Sequence, residues 1–176
     1  MKKLSVLELK RISKAEFKKA DKIPLIVVLD NIRSLNNVGS VFRTSDAFMV
    51  SKIYLCGLTS TPPNAEIHKT ALGAEDSVEW EYFENTCNVI DLLHNEGYLI
   101  YAAEQVENSI MLQDFNIEKG KKYAVVLGNE VNGVQQSVVD MCDGSIEIPQ
   151  FGTKHSLNVS VAAGLFIWDF FKRMGL

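Results

Sequence analysis

The sequence predicts an α/β fold in which a mainly parallel sheet has helices on both faces. Short apolar runs alternate along the chain with segments of helical pattern, which is typical of strands joined by helical crossovers. The runs are almost continuously apolar, as expected for strands that are buried on both faces. The 176 residues suffice for one domain with a substantial core, and no internal repeat is present.

The first half of the chain contains three predicted strands and two predicted helices. PLIVVLD (24–30) is an apolar run typical of a buried strand, and the segment 36–48 is a helical pattern with an Asn start signal. KIYLCG (52–57) predicts the second strand, and the segment 64–74 is again helical in pattern. SVEWEYF (77–83) alternates between apolar and polar residues, which predicts a short strand.

The second half continues the same alternation. The segment 86–97 predicts a helix closed by a glycine, and buried strands are predicted at 98–104 and 122–128. A short helix over 134–142 and a strand over 145–149 follow. The alternation therefore persists almost to the C-terminus, without an obvious interdomain linker.

The last predicted helix, 157–173, is apolar on nearly all sides but begins among polar residues. Such a helix must be buried on several sides, either by the chain's own core or by a partner. Ser156, Asn158 and Ser160 surround its start. The first turn of a helix offers free backbone N–H groups, so this stretch is a candidate ligand site.

Charge is unevenly distributed along the chain. Residues 1–22 contain eight Lys/Arg and three Asp/Glu, whereas residues 23–176 contain ten and nineteen. A basic N-terminal extension (1–22) on an acidic domain (23–176) can contact phosphate despite the net charge of −4. The alternative is a solvated amphipathic helix whose Leu7, Ile12 and Phe17 pack against the domain.

Several classes of protein lack support. The three cysteines are far apart and odd in number, which argues against a disulfide framework, and no Cys-x-x-Cys pair suggests zinc. Polar residues interrupt every apolar run before it could form a signal peptide or span a bilayer, so we expect a cytoplasmic protein without membrane contact. The glycine-rich dinucleotide, P-loop and nucleophile-elbow motifs are absent.

In parallel sheets, ligands bind beyond the carboxyl ends of the strands. The segments of interest therefore follow Asp30, Ala103, Leu127 and Ile148. His155 lies in the last of them, but no pattern marks it as a base or a ligand.

Two of these segments carry polar and glycine residues in suggestive spacing. After the first strand, Asn37 can cap the following helix and Arg43 lies six residues further on, in a mostly apolar sequence. After the strand at 122–128, LGNEVNGV includes Gly128, Glu130 and Gly133. Glycines there permit positive φ angles and leave backbone groups free to face a ligand. Capping and turn formation alone would also explain both segments.

Taken together, three motifs resemble one family. Asn37-x5-Arg43, Gly128-x-Glu130-x-x-Gly133 and Ile148-Pro149…Ser156-Leu157-Asn158-Val159-Ser160 are similar, in order, to the motifs of the SpoU-type (TrmH-like) RNA 2′-O-ribose methyltransferases of the SPOUT superfamily. The resemblance covers residues 24–173, and the third motif is the most specific.

The resemblance implies a C-terminal deep trefoil knot that binds S-adenosyl-L-methionine, with S-adenosyl-L-homocysteine as product and no metal. Backbone groups of the knotted loops would contact the cofactor. The residues implied at the cofactor site are Ala103, Leu127, Gly128, Gly133, Ile148 and Leu157.

The resemblance also implies methyl transfer to a ribose 2′-hydroxyl of tRNA or rRNA. Arg43 would clamp a phosphate or stabilise a developing alkoxide, because a guanidinium rarely acts as a base. Asn37 would orient Arg43 or the ribose. Glu130, Ser156 and Asn158 would hold the arginine and the surrounding loops.

Family members usually dimerise, so the resemblance implies a homodimer through the C-terminal helix. Three alternatives remain open from the sequence. They are a related enzyme that methylates a base, a non-catalytic RNA-binding module of the same fold, and an unrelated flavodoxin-like regulator.

Overall fold

The computed structural model describes residues 1–5, 8–9 and 11–175. In this part of the chain the strands are β1 Ile23–Asp30, β2 Val50–Cys56, β3 Trp80–Phe83, β4 Tyr98–Ala103, β5 Ile110–Met111, β6 Lys122–Gly128 and β7 Gly144–Glu147. The helices are α1 Lys14–Lys19, α2 Leu35–Ala47, α3 Ala65–Ala71, α4 Thr86–Asn95, α5 Gln136–Val139 and α6 Val159–Met174.

The strands form one sheet in the order β3-β2-β1-β6-β4-β7-β5, and every neighbouring pair is parallel. Strand β6 lies between β1 and β4, so that Asp30 pairs with Gly128 at the carboxyl edge of the sheet. The mainly parallel α/β fold is therefore confirmed. The strand order alone does not show whether the chain passes through a loop of its own backbone, so the C-terminal knot stays a prediction.

Helices cover both faces of this sheet, as predicted. Alternate residues of β1 point to opposite sides: Leu25, Val27 and Leu29 join a core with α2 and α6. Ile26 and Val28 join a second core with α4 and α5. The near-continuous apolar runs of the sequence reflect this two-sided burial.

Several elements are shorter than predicted. Helix α3 ends at Ala71 because Leu72 adopts a left-handed conformation. A 3-10 turn at Ala74–Asp76 follows, and β3 therefore begins only at Trp80. The helix predicted over 134–142 contracts to α5, and the two-residue strand β5 was not predicted.

The N-terminal segment packs partly against the domain. Helix α1 begins after a capping box formed by Ser13 and Glu16. Phe17 is buried in the core that also contains residues of α2 and α6, whereas Ile12 is exposed. Leu7 lies outside the described residues. Lys14 forms an exposed ion pair with Asp76 at 2.6 Å.

A buried carboxylate joins three parts of the fold at the carboxyl edge of the sheet. Asp30, at the end of β1, has no solvent exposure. Its Oδ1 accepts from the Thr86 hydroxyl at 2.6 Å, where α4 begins, and its Oδ2 accepts from the Gln135 backbone N–H at 2.9 Å. The Asn31 side chain donates to Oδ1 at 2.9 Å. This carboxylate thereby ties β1 to α4 and to the segment after β6.

We predict that Asp30→Ala lowers the free energy of unfolding by about 3 kcal/mol, because buried donors lose a charged acceptor. Chemical denaturation at fixed protein concentration measures the change. Asp91→Ala removes an exposed carboxylate from α4 and is the matched control. Equal stability of the two variants would contradict the structural role of Asp30.

Candidate active site

A cavity of about 360 Å³ opens at the carboxyl edge of the sheet. It lies where β4, β6 and β7 end and α6 begins. All six residues predicted for the cofactor line it, as do two of the five predicted catalytic residues. These eight residues are Ala103, Leu127, Gly128, Glu130, Gly133, Ile148, Ser156 and Leu157.

The loop after β6 turns sharply, and glycines permit the turn. A Cβ on Gly128 would lie 2.0 Å from the backbone carbon of Gly133 and 2.0 Å from the nitrogen of Val134. Gly133 itself has a φ of +67°. The Asn129 side chain closes the turn by accepting the Val131 N–H at 3.0 Å. The loop therefore folds back on the strand end and forms one wall of the cavity.

Two carboxylates hold the far end of this loop. Glu104, which follows β4, accepts the Val134 N–H at 3.0 Å through Oε2 and the Gln105 N–H at 3.0 Å through Oε1. Asp30 accepts the next backbone N–H, that of Gln135. Sequence reasoning did not identify Glu104 as a site residue. Its position directly after a buried strand, at the edge where ligands bind, was the available signal.

Polar side chains from all three predicted motifs meet beside the cavity. The Asn37 amide donates to Glu130 at 2.6 Å, and the Asn158 amide donates to the Asn37 carbonyl oxygen at 3.2 Å. Asn158 also caps α6, since its Oδ1 accepts the Ser160 N–H at 2.9 Å. Asn37 lies 93 positions from Glu130 and 121 positions from Asn158 in the chain, so these hydrogen bonds join distant segments directly.

The N-cap of α2 differs from the prediction. Ser34 caps the helix by accepting the N–H of Asn37, so Asn37 lies within the first turn. Its side chain is consequently available for Glu130 and Asn158.

Arg43 is exposed on α2 and does not line the cavity. Among the described residues it forms no ion pair or side-chain hydrogen bond that meets ordinary distance limits. The structure therefore brings Asn37, Glu130, Ser156 and Asn158 to the cavity or its edge, but it leaves the Arg43 guanidinium facing solvent.

The cavity lining is acidic and partly apolar. Glu104, Glu130 and Glu147 contribute carboxylates, and His155 lies among them. Phe166 of α6 contributes to the apolar part. Such a lining suits a ligand that combines a positive charge with a flat apolar group.

Two of the three cysteine thiols are buried, and the described residues lack a cluster of metal ligands. Burial raises the pKa of the Cys56 and Cys142 thiols to about 12, so both are neutral near pH 7. Within residues 1–5, 8–9 and 11–175 no cluster of His, Cys, Asp or Glu could hold a metal ion. In the same part of the chain, every helix is too short or too polar to cross a bilayer.

Comparison with known proteins identifies the family. The model of the SpoU rRNA methylase family matches residues 24–168, which include all three motifs. The chain belongs to the SpoU rRNA methylase family. The resemblance inferred from the motifs is thereby confirmed, and with it membership of the SPOUT superfamily.

Individual relatives of this SpoU-family chain are RNA methyltransferases by name. A Staphylococcus saprophyticus protein named for the TrmH family of tRNA/rRNA methyltransferases is 31% identical over 90% of this chain and 63% of its own length. The 23S rRNA (guanosine-2′-O-)-methyltransferase RlmB of Blochmanniella floridana is 33% identical over 84% of this chain and 57% of its own length.

Solved structures confirm the SpoU fold. The AdoMet-bound rRNA methyltransferase from Sinorhizobium meliloti superposes with a TM-score of 0.81 at 23% identity, over 91% of this chain and 61% of that one. The chain thus spans a little under two thirds of the length of the relatives described here.

We predict that Gly128→Ala disrupts the cavity wall, because the added Cβ overlaps backbone atoms that cannot rotate away. Overpacking of this kind costs about 1–3 kcal/mol of unfolding free energy. Hydrogen exchange of the amides in 129–134 should also become faster. Gly152→Ala is the matched control, since no atom lies within 4 Å of its added Cβ. Unchanged exchange in Gly128→Ala would refute the close approach.

Proposed function

We propose that this chain transfers a methyl group from S-adenosyl-L-methionine to a ribose 2′-hydroxyl of tRNA or rRNA. The observation that carries the proposal is the convergence of the three motifs through Asn37, Glu130 and Asn158 beside one cavity. Membership of the SpoU family supports RNA methylation, and the relative named as a guanosine-2′-O-methyltransferase supports ribose as the acceptor.

The cavity fits this cofactor in size and chemistry. Its volume of about 360 Å³ lies within the usual range for small-molecule sites. The carboxylates of Glu104, Glu130 and Glu147 complement a ligand with sulfonium and ammonium charges. Leu127 and Phe166 provide apolar surface for an adenine ring.

Backbone groups of the strand ends would make the specific contacts. We assign Gly128, Ile148 and Leu157 to this role, with Ala103 and Gly133 completing the wall. Adenine offers donors and acceptors that peptide groups can match. When bound, the cofactor supplies an activated methyl group, whereas the protein orients the acceptor hydroxyl and assists loss of its proton.

Arg43 is the candidate for stabilising the RNA at the reacting ribose. Its exposed guanidinium is available to bind a phosphate or to stabilise charge that develops on the ribose oxygen. Asn37 of α2 donates a hydrogen bond to Glu130 of the loop after β6, and this pair would hold α2 against the cofactor loops. Ser156 would support the same loop from its other side.

The basic N-terminal extension, residues 1–22, would add contacts to RNA outside the domain of residues 23–176. Arg11 and Lys18 are exposed cations of this extension. Phosphate attraction of this kind does not depend on sequence and weakens with salt. A cytoplasmic location remains a prediction consistent with this substrate.

A homodimer through α6 is part of the proposal. Val161, Leu165 and Trp168 are 51%, 41% and 48% exposed and recur on one face of the helix. Trp168 contacts the ring of Phe48, with centroids 5.3 Å apart, so the exposed face continues onto the end of α2. A contiguous apolar surface of this type is characteristic of homodimer interfaces.

We predict that Leu165→Glu shifts the protein from dimer to monomer, because the interface would bury an unpaired carboxylate. Sedimentation velocity over a concentration series measures the change. Ile110→Glu is the control, since Ile110 is 40% exposed on the edge strand β5 and does not belong to the exposed face of α6. A wild-type protein that is monomeric throughout the series would refute the dimer.

We predict that Arg43→Ala lowers methyl transfer on the order of 10²- to 10³-fold, because the transition state loses a charged donor. Cofactor affinity, measured by calorimetry, should be nearly unchanged since Arg43 does not line the cavity. Lys69→Ala removes an exposed cation from α3 and is the control. Loss of cofactor binding in Arg43→Ala would contradict the assignment.

A methylation assay with isotopic label distinguishes the proposed reaction from its alternatives. Unmodified tRNA and rRNA transcripts are incubated with isotopically labelled cofactor, digested to nucleosides and examined by mass spectrometry. Label on ribose supports the proposal. Label on a base would indicate the base-methylating alternative, and binding of RNA and cofactor without turnover would indicate the non-catalytic module.

A further inference from the structure

Two unusually exposed apolar side chains flank the candidate active site. Phe151 is 97% exposed and Val131 is 76% exposed. After Met1, they are the two most exposed large apolar side chains in the described part of the chain. Both belong to loops whose residues line the same cavity.

The two side chains belong to two different loops that contribute to the cavity. Val131 belongs to the turn after β6, where the Asn129 side chain fixes its N–H. Phe151 follows Gln150, which lines the cavity from the segment after β7. The next residue, Gly152, has no atom within 4 Å of the position of a Cβ, so this part of the loop adjoins open space.

The position of the reacting ribose constrains what lies at this rim. In a nucleotide, the base is attached to the ribose carbon next to the one that carries the 2′-hydroxyl. A ribose that presents this hydroxyl to the cavity therefore leaves its base at the rim. Phenyl rings bind bases of any identity by stacking, and Lys154, exposed on the same loop, can attract the neighbouring phosphate.

We propose that Phe151 stacks on the base of the nucleotide to be methylated, with Val131 as an apolar contact from the loop after β6. This inference rests on the proposed function. It deepens that function by naming the substrate class, because a base that is already unpaired and unstacked can lie against a protein ring without the cost of extrusion from a duplex. On this proposal the target nucleotide lies in a loop, a bulge or another single-stranded part of the RNA.

Substitution of Phe151 tests the stacking. With unmodified tRNA and rRNA transcripts as substrates, Phe151→Ala should raise KM for RNA by about tenfold or more while cofactor affinity stays unchanged. Phe151→Tyr keeps the flat ring and should retain near wild-type KM. Phe151→Leu keeps an apolar side chain but loses the ring, so it should resemble Phe151→Ala.

A control and a direct readout complete the test. Leu58→Ala removes a side chain that is 65% exposed at the end of β2, beyond β1 from the cavity strands. It should leave KM for RNA unchanged. In Phe151→Trp, the same RNA should quench fluorescence more than in the wild type, whose Trp80 and Trp168 give the background.

Three outcomes overturn the inference. They are an unchanged KM in Phe151→Ala, a wild-type KM in Phe151→Leu, and loss of the dimer or of cofactor binding in Phe151→Ala. A wild-type protein that methylates no ribose refutes the proposed function instead. In that case the fluorescence titration of Phe151→Trp with RNA still tests the stacking at position 151, and absence of quenching refutes it.

Discussion

The candidate active site depends on a loop that two carboxylates hold by consecutive backbone N–H groups. Glu104 accepts from Val134 and Asp30 accepts from Gln135, at 3.0 and 2.9 Å. Each carboxylate follows the end of a strand, so these bonds fix the loop relative to β1 and β4, and Asp30 also accepts from Thr86 at the start of α4. The sharp return of the chain after Gly128, and the cavity that it encloses, follow from these anchors.

This arrangement requires strand β6 to enter the sheet between β1 and β4. Only then do Asp30 and Glu104, at the ends of strands on either side of β6, reach the same loop. The parallel order also places the start of α6 at this edge, where Asn158 can reach Asn37. Sheet topology and local hydrogen bonding therefore define the site jointly, and neither would suffice without the other.

The sequence predicted most of the sheet because burial on both faces imposes continuous apolar runs. The resemblance of its motifs to the SpoU-type family also implied the six residues that line the cavity wall. The sequence did not predict the cap at Ser34 or the role of Glu104. The cap joins residues only three apart, and it was missed because Asn37 itself was predicted as the capping residue. The role of Glu104 depends on a donor 30 positions away, in Val134, and such a pair leaves no periodic signal.

The distribution of charge explains how an acidic protein could serve two ligands of opposite charge. Carboxylates such as Glu104 and Glu147 lie within the cavity, whereas cations such as Arg43 and Lys154 lie outside it. A sulfonium ligand in the cavity would therefore lie next to carboxylates and a phosphate near Arg43 next to cations, so that the net charge of −4 would oppose neither.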